Sequence, residues 1–75
     1  MLLDQGLQEL AAICRGMGAD VRYCPEHRYL TALAWEEEGE RQARSLQQEI
    51  QRWTAAHPEL VCYCFDTFST LVYAI

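Results

Sequence analysis

Two short motifs of this chain together supply four residues that could bind zinc. Cys24-x-x-His27 supplies a thiolate and an imidazole, and Cys62-x-Cys64 supplies two further thiolates. Structural zinc sites use four such ligands, although their cysteines are usually separated by two or more residues of a turn. Reduced cysteines more commonly act as small apolar side chains. We therefore expect no metal and no cofactor, and keep a small zinc-stabilised domain as an alternative.

A cysteine and a histidine can also form a nucleophile and its base. Cys24 or Cys64 beside His27 would supply that pair, but catalysis would also need an orienting group and an oxyanion site. The sequence shows no motif for either. A chain of 75 residues also uses most of its apolar side chains in its own core and rarely encloses a deep substrate pocket. We predict that the protein is not an enzyme.

The chain is acidic, and one run of glutamates concentrates the charge. Eleven acids stand against six arginines and no lysine, which gives a formal net charge of −5. The arginines are scattered, whereas affinity for phosphate backbones comes from clustered cations. We expect no direct nucleic-acid binding and favour a protein partner with a basic surface. The acidic run either binds cations of that partner or is a solvated helix start, and it comprises Glu36, Glu37, Glu38 and Glu40.

The spacing of apolar residues predicts two amphipathic helices that would position these groups. The first spans Asp4 to Met17, with Asp4 as its N-cap and with Gly16 and Gly18 as its stops. The second begins at the acidic run and closes at Pro58, because a residue before proline is pushed out of the helical region. Their apolar stripes are Leu3, Leu7, Leu10, Ile13, Cys14 and Met17 in the first helix, and Ala43, Leu46, Ile50, Trp53 and His57 in the second.

Four strands are predicted, arranged as two hairpins. Residues 20–24 and 29–35 form the first hairpin around a proline-containing turn. Residues 60–65 and 69–75, rich in β-branched and aromatic side chains, form the second. Each hairpin follows a helix, so the chain consists of two αββ units in one small domain, 1–75. Such units predict an α+β fold, with a four-stranded, mainly antiparallel sheet and both helices on one face.

One stretch of sequence recurs and relates the two units. Val21–Cys24 (Val-Arg-Tyr-Cys) returns forty residues later as Val61–Cys64 (Val-Cys-Tyr-Cys). We expect the shared valine and tyrosine to be core positions in both units. The differing positions then lie on the other face, where Cys62 replaces Arg22. In any register the second hairpin is apolar on both faces.

The apolar sheet face that no helix covers is the predicted working surface. The uncovered face of such a sheet is normally polar, and exposed contiguous apolar area marks association sites. Tyrosine and tryptophan are favoured anchors there. The alternative is that a loop or the chain's own tail covers this face. Together with the acidic run, the predicted partner contacts are Tyr29, Leu33, Trp35, Leu71, Tyr73 and Ile75.

The leading functional hypothesis is a cytoplasmic, non-enzymatic module that binds a protein partner as an adaptor or inhibitor. The N-terminus lacks a signal-peptide pattern, and no apolar run approaches the roughly 18 residues of a membrane span. In length, charge and the absence of catalytic motifs, the chain is similar to the small acidic inhibitors and adaptors of phages and bacteria, anti-CRISPR proteins among them. That resemblance implies an inhibitor whose acids occupy a basic nucleic-acid channel. A structural homodimer is a further alternative.

Overall fold

A computed structural model describes the backbone of residues 2–75 and the side chains from residue 5 onward. Two helices and four strands follow one another as two αββ units, so the predicted α+β architecture is confirmed. A short 3-10 turn precedes the second helix. The elements are α1 (Leu2–Gly16), β1 (Asp20–Cys24), β2 (Tyr29–Leu33), the 3-10 turn (Glu36–Glu38), α2 (Gly39–Ala55), β3 (Leu60–Cys64) and β4 (Ser69–Ala74).

The four strands form one antiparallel sheet in the order β1-β2-β4-β3. The two hairpins therefore lie side by side, with β2 and β4 in the centre and β1 and β3 at the edges. Across the central pair, Leu30 is opposite Val72, and Val72 is also opposite Cys62 of β3. Side chains of paired residues share a face, so this register determines which residues meet the helices.

The centre of the apolar stripe of α1 is buried as predicted, whereas Ile13 and Met17 are half-buried. Leu7, Leu10 and Cys14 have no exposed surface and pack in the core. The helix ends at Gly16, and Gly18 follows two residues later with a φ of 86°, in the left-handed region. The Ala19 N–H donates to the Cys14 carbonyl over 3.1 Å. Of the two hydrogen bonds that close a helix followed by such a glycine, this is the one that spans more residues.

The start of α1 differs from the prediction. The helix begins at Leu2, so Asp4 lies within its first turn and is not the N-cap. The side chains of Leu3 and Asp4 lie outside the described residues. Helix propensity upstream of Asp4 extends the first turn by two residues, since leucine is a good helix former.

The second helix begins within the acidic run. Glu36–Glu38 form the 3-10 turn, and α2 begins at Gly39, whose φ of 87° breaks the helical geometry between the two. The expectation that the glutamates open the α-helix is therefore wrong for Glu36–Glu38, whereas Glu40 lies in the first turn of α2. The predicted stripe is confirmed where α2 meets the sheet, where Ala43, Leu46 and Ile50 are buried.

The C-terminal end of α2 is fixed by an aromatic pair. The rings of Trp53 and His57 stack with centroids 4.3 Å apart. The His57 Nδ1 lies 2.8 Å from the Trp53 carbonyl oxygen and donates to it, which satisfies one of the free carbonyls of the last turn. Pro58 follows directly and excludes a further turn.

Both helices cover the same face of the sheet, and the core lies between the two layers. Leu30 and Val72 from the central strands are fully buried, together with Leu10 of α1 and Ile50 of α2. The edge strands contribute Val21 and Leu60 at the margins of this core. Within the described residues, no helix is long and apolar enough to cross a membrane.

The faces of β3 are the reverse of those that the repeated sequence predicts. Val21 and Tyr23 point toward the helices, but in β3 it is Leu60 and Cys62 that do so. Tyr63 and its neighbours of the same parity therefore lie on the opposite face. An offset of thirty-nine residues, not forty, preserves the faces. A shift of one residue along a strand exchanges all inward and outward side chains. The repeat in the sequence and the repeat in the fold differ by one residue, which is why the predicted faces are reversed.

Candidate protein-binding face

The sheet face away from the helices, named here the open face, has three rows of side chains across the four strands. In strand order β1-β2-β4-β3, the register gives these rows. The last member of the third row, Phe65, follows β3 and donates its N–H to the Ser69 carbonyl over 2.9 Å. The rows are Cys24–Tyr29–Tyr73–Val61, Arg22–Thr31–Leu71–Tyr63 and Asp20–Leu33–Ser69–Phe65.

The open face is polar along β1 and apolar across the other three strands. Asp20 and Arg22 place one acid and one base on the β1 edge. Six large side chains across the centre and the β3 edge are aromatic or leucine. Four of these are exposed, namely Leu33 at 44%, Tyr73 at 40%, Tyr63 at 57% and Phe65 at 60% of their surface. Such contiguous apolar exposure is typical of an association surface.

Two aromatic rings at the β3 edge hold each other in place. The ring centroids of Tyr63 and Phe65 are 5.1 Å apart, with the planes inclined by 65°. This edge-to-face geometry is favourable for aromatic pairs. The pair presents a preformed apolar surface, so little side-chain entropy is lost when another molecule contacts it.

A shallow groove crosses the open face at its Leu33 end. It has a volume of about 260 Å³ and opens to solvent. Leu33 and Phe65 form apolar walls, while Asp20, Arg22 and Thr31 bring polar groups to the β1 side. The combination can take up a protruding side chain with an apolar stem and a polar end.

Four of the predicted partner contacts come together on the open face. Tyr29 and Leu33 of β2 lie beside Tyr73 and Leu71 of β4, with Tyr29 directly opposite Tyr73. Ile75 follows β4 and is exposed, with its N–H bonded to the Glu59 carbonyl over 2.9 Å. In the described part of the chain the C-terminal residues extend the sheet and do not fold back over this face.

Trp35 lies elsewhere. The strand β2 ends at Leu33, two residues before the predicted end, and the chain turns into the 3-10 turn. Trp35 lines a narrow crevice with Gly18 and Leu46, at the end of the helix layer. It therefore belongs to a rim beside the open face.

The acidic run occupies the same end of the molecule. Glu36, Glu37 and Glu38 are exposed and directly follow Trp35. Glu40 is also exposed, and its carboxylate lies 3.5 Å from the Arg44 guanidinium. This surface ion pair leaves the first three carboxylates as the acidic part of the rim.

Three apolar residues of the open face were not among the predicted contacts: Val61, Tyr63 and Phe65. From the repeated sequence, the valine and the tyrosine are predicted to lie in the core. One signal in the sequence favours the opposite assignment, namely that Leu60 directly follows the helix-ending segment His57-Pro58-Glu59. A large aliphatic residue in that position is well placed to close the core, and its N–H donates to the His57 carbonyl over 2.9 Å.

The four candidate zinc ligands are separated by the sheet itself. Cys24 lies on the open face of β1, whereas Cys62 and Cys64 lie on the helix face of β3, at the opposite edge. His27 is in the exposed turn and stacks near Tyr29, with centroids 6.4 Å apart. Among the described residues no three metal-binding side chains cluster. The geometry thus brings only Cys62 and Cys64 together.

The thiols of this chain differ in their surroundings. Burial raises the pKa of the Cys14 thiol to about 11. Burial, and then the neighbouring Cys64, also raise the pKa of Cys62 to about 11. Since the thiolate is the nucleophile, both thiols are weakly reactive at neutral pH. The Cys64 sulfur accepts a long hydrogen bond of 3.8 Å from the Gln51 amide.

No protein family, curated protein or solved structure matches this chain in comparisons of its sequence and fold.

Proposed function

We propose that this protein is a non-enzymatic binding module that docks a protein partner on its open face. The observation that carries the proposal is the exposure of Leu33, Tyr63, Phe65 and Tyr73 on one ordered sheet face. Burying this surface against a partner would supply the binding energy, since removal of apolar surface from water dominates most association. Aromatic side chains in such a patch are the usual sites of largest energetic effect.

The charges around the face define the chemistry of the partner. Glu36–Glu38 begin three residues after Leu33 and are exposed, and Asp20 lies at the same end. The whole chain carries a formal charge of −5. The partner that fits is a protein surface with an apolar centre and with Arg or Lys on the side that meets Leu33. Such charge complementarity mainly sets association rate and orientation.

The same features support a binding role over catalysis. The groove is shallow and open, whereas catalytic pockets usually enclose their substrates. Cys14 and Cys62 hold their protons at neutral pH because of burial. We place the protein in the cytoplasm, since its four cysteines are free thiols and free thiols persist in reducing compartments.

An inhibitor is the specific form of this proposal that the acidic rim favours. If the basic region of the partner normally holds nucleic acid, Glu36–Glu38 would occupy it by charge. Adding nucleic acid would then release the partner from the protein. An adaptor would keep its partner under the same conditions, and this competition therefore separates the two forms.

Charge introduced into the open face tests the proposal. Leu33→Lys and Tyr73→Lys alter exposed side chains, so the fold should persist, as circular dichroism would show. Gln48→Lys on the exposed surface of α2 is the matched control with the same added charge. We expect the wild-type protein and the control to retain one partner from a lysate of the native host at equal stoichiometry. Both face variants should retain at least about tenfold less, because each would bury an unpaired charge.

Equal retention by the face variants and the control would contradict the proposal. Loss of the partner in the control alone would indicate that the partner binds the helix layer, and it would also contradict the proposal. Affinity for the purified partner, measured by calorimetry for all four proteins, gives the same comparison quantitatively.

A further inference from the structure

The two edges of the sheet are unequally protected. The β1 edge carries Asp20 and Arg22, and charged side chains discourage a further strand from pairing. The β3 edge, Leu60–Cys64, has no charged residue and no proline. Among the described residues, no strand lies beyond it. An apolar, uncovered edge is a template for another strand.

The ladder between β3 and β4 shows which backbone groups of β3 remain free. The Phe65 N–H donates to the Ser69 carbonyl, and the Ile75 N–H donates to the Glu59 carbonyl, each over 2.9 Å. In an antiparallel pair, hydrogen-bonded and non-hydrogen-bonded residues alternate. The odd-numbered residues from 59 to 65 therefore bond to β4. The even-numbered residues direct their N–H and carbonyl groups outward.

Two of the outward-directed residues have both backbone groups available. The Leu60 N–H already donates to the His57 carbonyl over 2.9 Å. Cys62 and Cys64 each keep one donor and one acceptor on the free edge. Two donors and two acceptors at alternate positions form a self-complementary set for an antiparallel copy of the same strand.

We propose that β3 pairs with β3 of a second copy of this chain, antiparallel about a two-fold axis at Tyr63. In this register Cys62 of each copy exchanges two backbone hydrogen bonds with the partner's Cys64. All free groups of both residues are then used, which no register centred on Cys62 achieves, because that register requires the occupied Leu60 N–H. The product is a continuous eight-stranded antiparallel sheet.

The side chains next to this edge favour the same pairing. Tyr63 would lie against the partner's Tyr63 in a non-hydrogen-bonded pair, where cross-strand side chains are closest. Phe65 would lie against the partner's Val61. In the single chain, Tyr63 and Phe65 are the most exposed aromatic side chains, at 57% and 60%. Pairing two β3 edges covers both residues without any other protein.

The net charge of the chain sets the salt dependence of the pairing. Each copy carries a formal charge of −5. Two copies therefore repel each other as they approach. Added salt screens this repulsion and also strengthens apolar burial. The dimer should therefore tighten as salt is raised.

Proline at position 64 tests the pairing with little change elsewhere. The Cys64 N–H is directed outward, so Cys64→Pro removes a donor of the dimer and none of the β3–β4 ladder. Cys64→Ser is the matched control, since it loses the thiol and keeps the N–H. By sedimentation at about 1 to 200 µM, a range that brackets weak association, we expect the wild type and the control to dimerise. The dissociation constant of Cys64→Pro should be at least about tenfold higher.

A second variant and a second measurement cover the case in which Cys64→Pro does not fold. Tyr63→Lys places a charge on the two-fold axis at an exposed position and should also give a monomer. Amide hydrogen exchange of the wild type should slow at Cys62 and Cys64 as concentration rises. A monomeric wild type at about 200 µM would overturn the proposal. So would a Cys64→Pro or Tyr63→Lys variant that folds and dimerises as tightly as Cys64→Ser.

Discussion

The thiol of Cys14 has no exposed surface, and its burial makes the folding stability of the whole chain pH-dependent in the alkaline range. Burial raises its pKa from 9.0 to about 11. In the unfolded chain the thiol loses its proton near pH 9, whereas the folded chain keeps the proton until about pH 11. Between these values the unfolded state binds fewer protons than the folded state. The free energy of unfolding therefore falls as pH rises from 9 to 11, and it is unaffected by this group below pH 9.

We predict that Cys14→Ala reduces this dependence by the contribution of Cys14. The wild type should lose roughly 2 to 3 kcal/mol between pH 8 and pH 11 through Cys14, as a shift of about two pKa units implies. Cys62 contributes in the same direction and remains in the variant. Urea denaturation of both proteins across this pH range measures the two slopes. Parallel slopes would show that the Cys14 thiol has no part in the alkaline loss.

Among the secondary-structure elements, β3 is the strand whose two faces most clearly separate the core from the open face. Leu60 is 5% exposed and belongs to the core, whereas Tyr63, on the same strand, is 57% exposed. Removing the side chain of a buried leucine costs its transfer free energy and leaves a cavity, typically 2 to 5 kcal/mol in total, that is about 3 kcal/mol here. Removing an exposed aromatic side chain costs little folding free energy.

We predict that Leu60→Ala lowers the free energy of unfolding by about 3 kcal/mol and Tyr63→Ala by less than about 1 kcal/mol. Urea denaturation at low protein concentration provides both values and keeps any association out of the comparison. A larger loss of unfolding free energy for Tyr63→Ala than for Leu60→Ala would instead support the strand faces that the repeated sequence predicts. Matched circular dichroism spectra serve as the control for an intact fold.

The helices could be predicted from the sequence, and the faces of β3 could not. Period 3.6 is visible over fourteen or more residues in each helix, so the buried sets that include Leu10 and Ile50 were correct. In β3 every residue is apolar or aromatic, and alternation then carries no information about direction. The face was settled by long-range contacts, since Leu60 meets the helices and Cys62 is opposite Val72.

The candidate site was predictable to the same extent. Tyr29, Leu33, Leu71 and Tyr73 were assigned to one surface because successive side chains of a strand point to opposite faces, and the residues between them are the buried ones. Trp35 was assigned to it by continuing β2 too far. The strand ends where the chain enters the 3-10 turn, and nothing in the alternation marks that end.

The whole molecule consists of a helix layer and a sheet layer, and the helices cover one of the two sheet faces. Its extents are 35 × 20 × 19 Å, with both helices on one face of the sheet. A chain of this size buries a smaller fraction of its surface than a larger domain and has a modest core. Covering the open face would add buried apolar area and would stabilise the folded state by an amount that rises with the logarithm of partner concentration. The proposed binding would therefore also raise the folding stability.

Hydroxyl-radical footprinting of the complex recovered from host lysate tests directly whether the open face binds the partner. Leu33 and Tyr73 are exposed in the free protein and should be oxidised readily there. In the complex we predict that their oxidation falls at least about threefold, while Trp53 of the helix layer keeps its free-state rate, because a bound surface excludes water from the contact. Unchanged oxidation of Leu33 and Tyr73, with protection of Trp53 instead, would contradict binding at the open face.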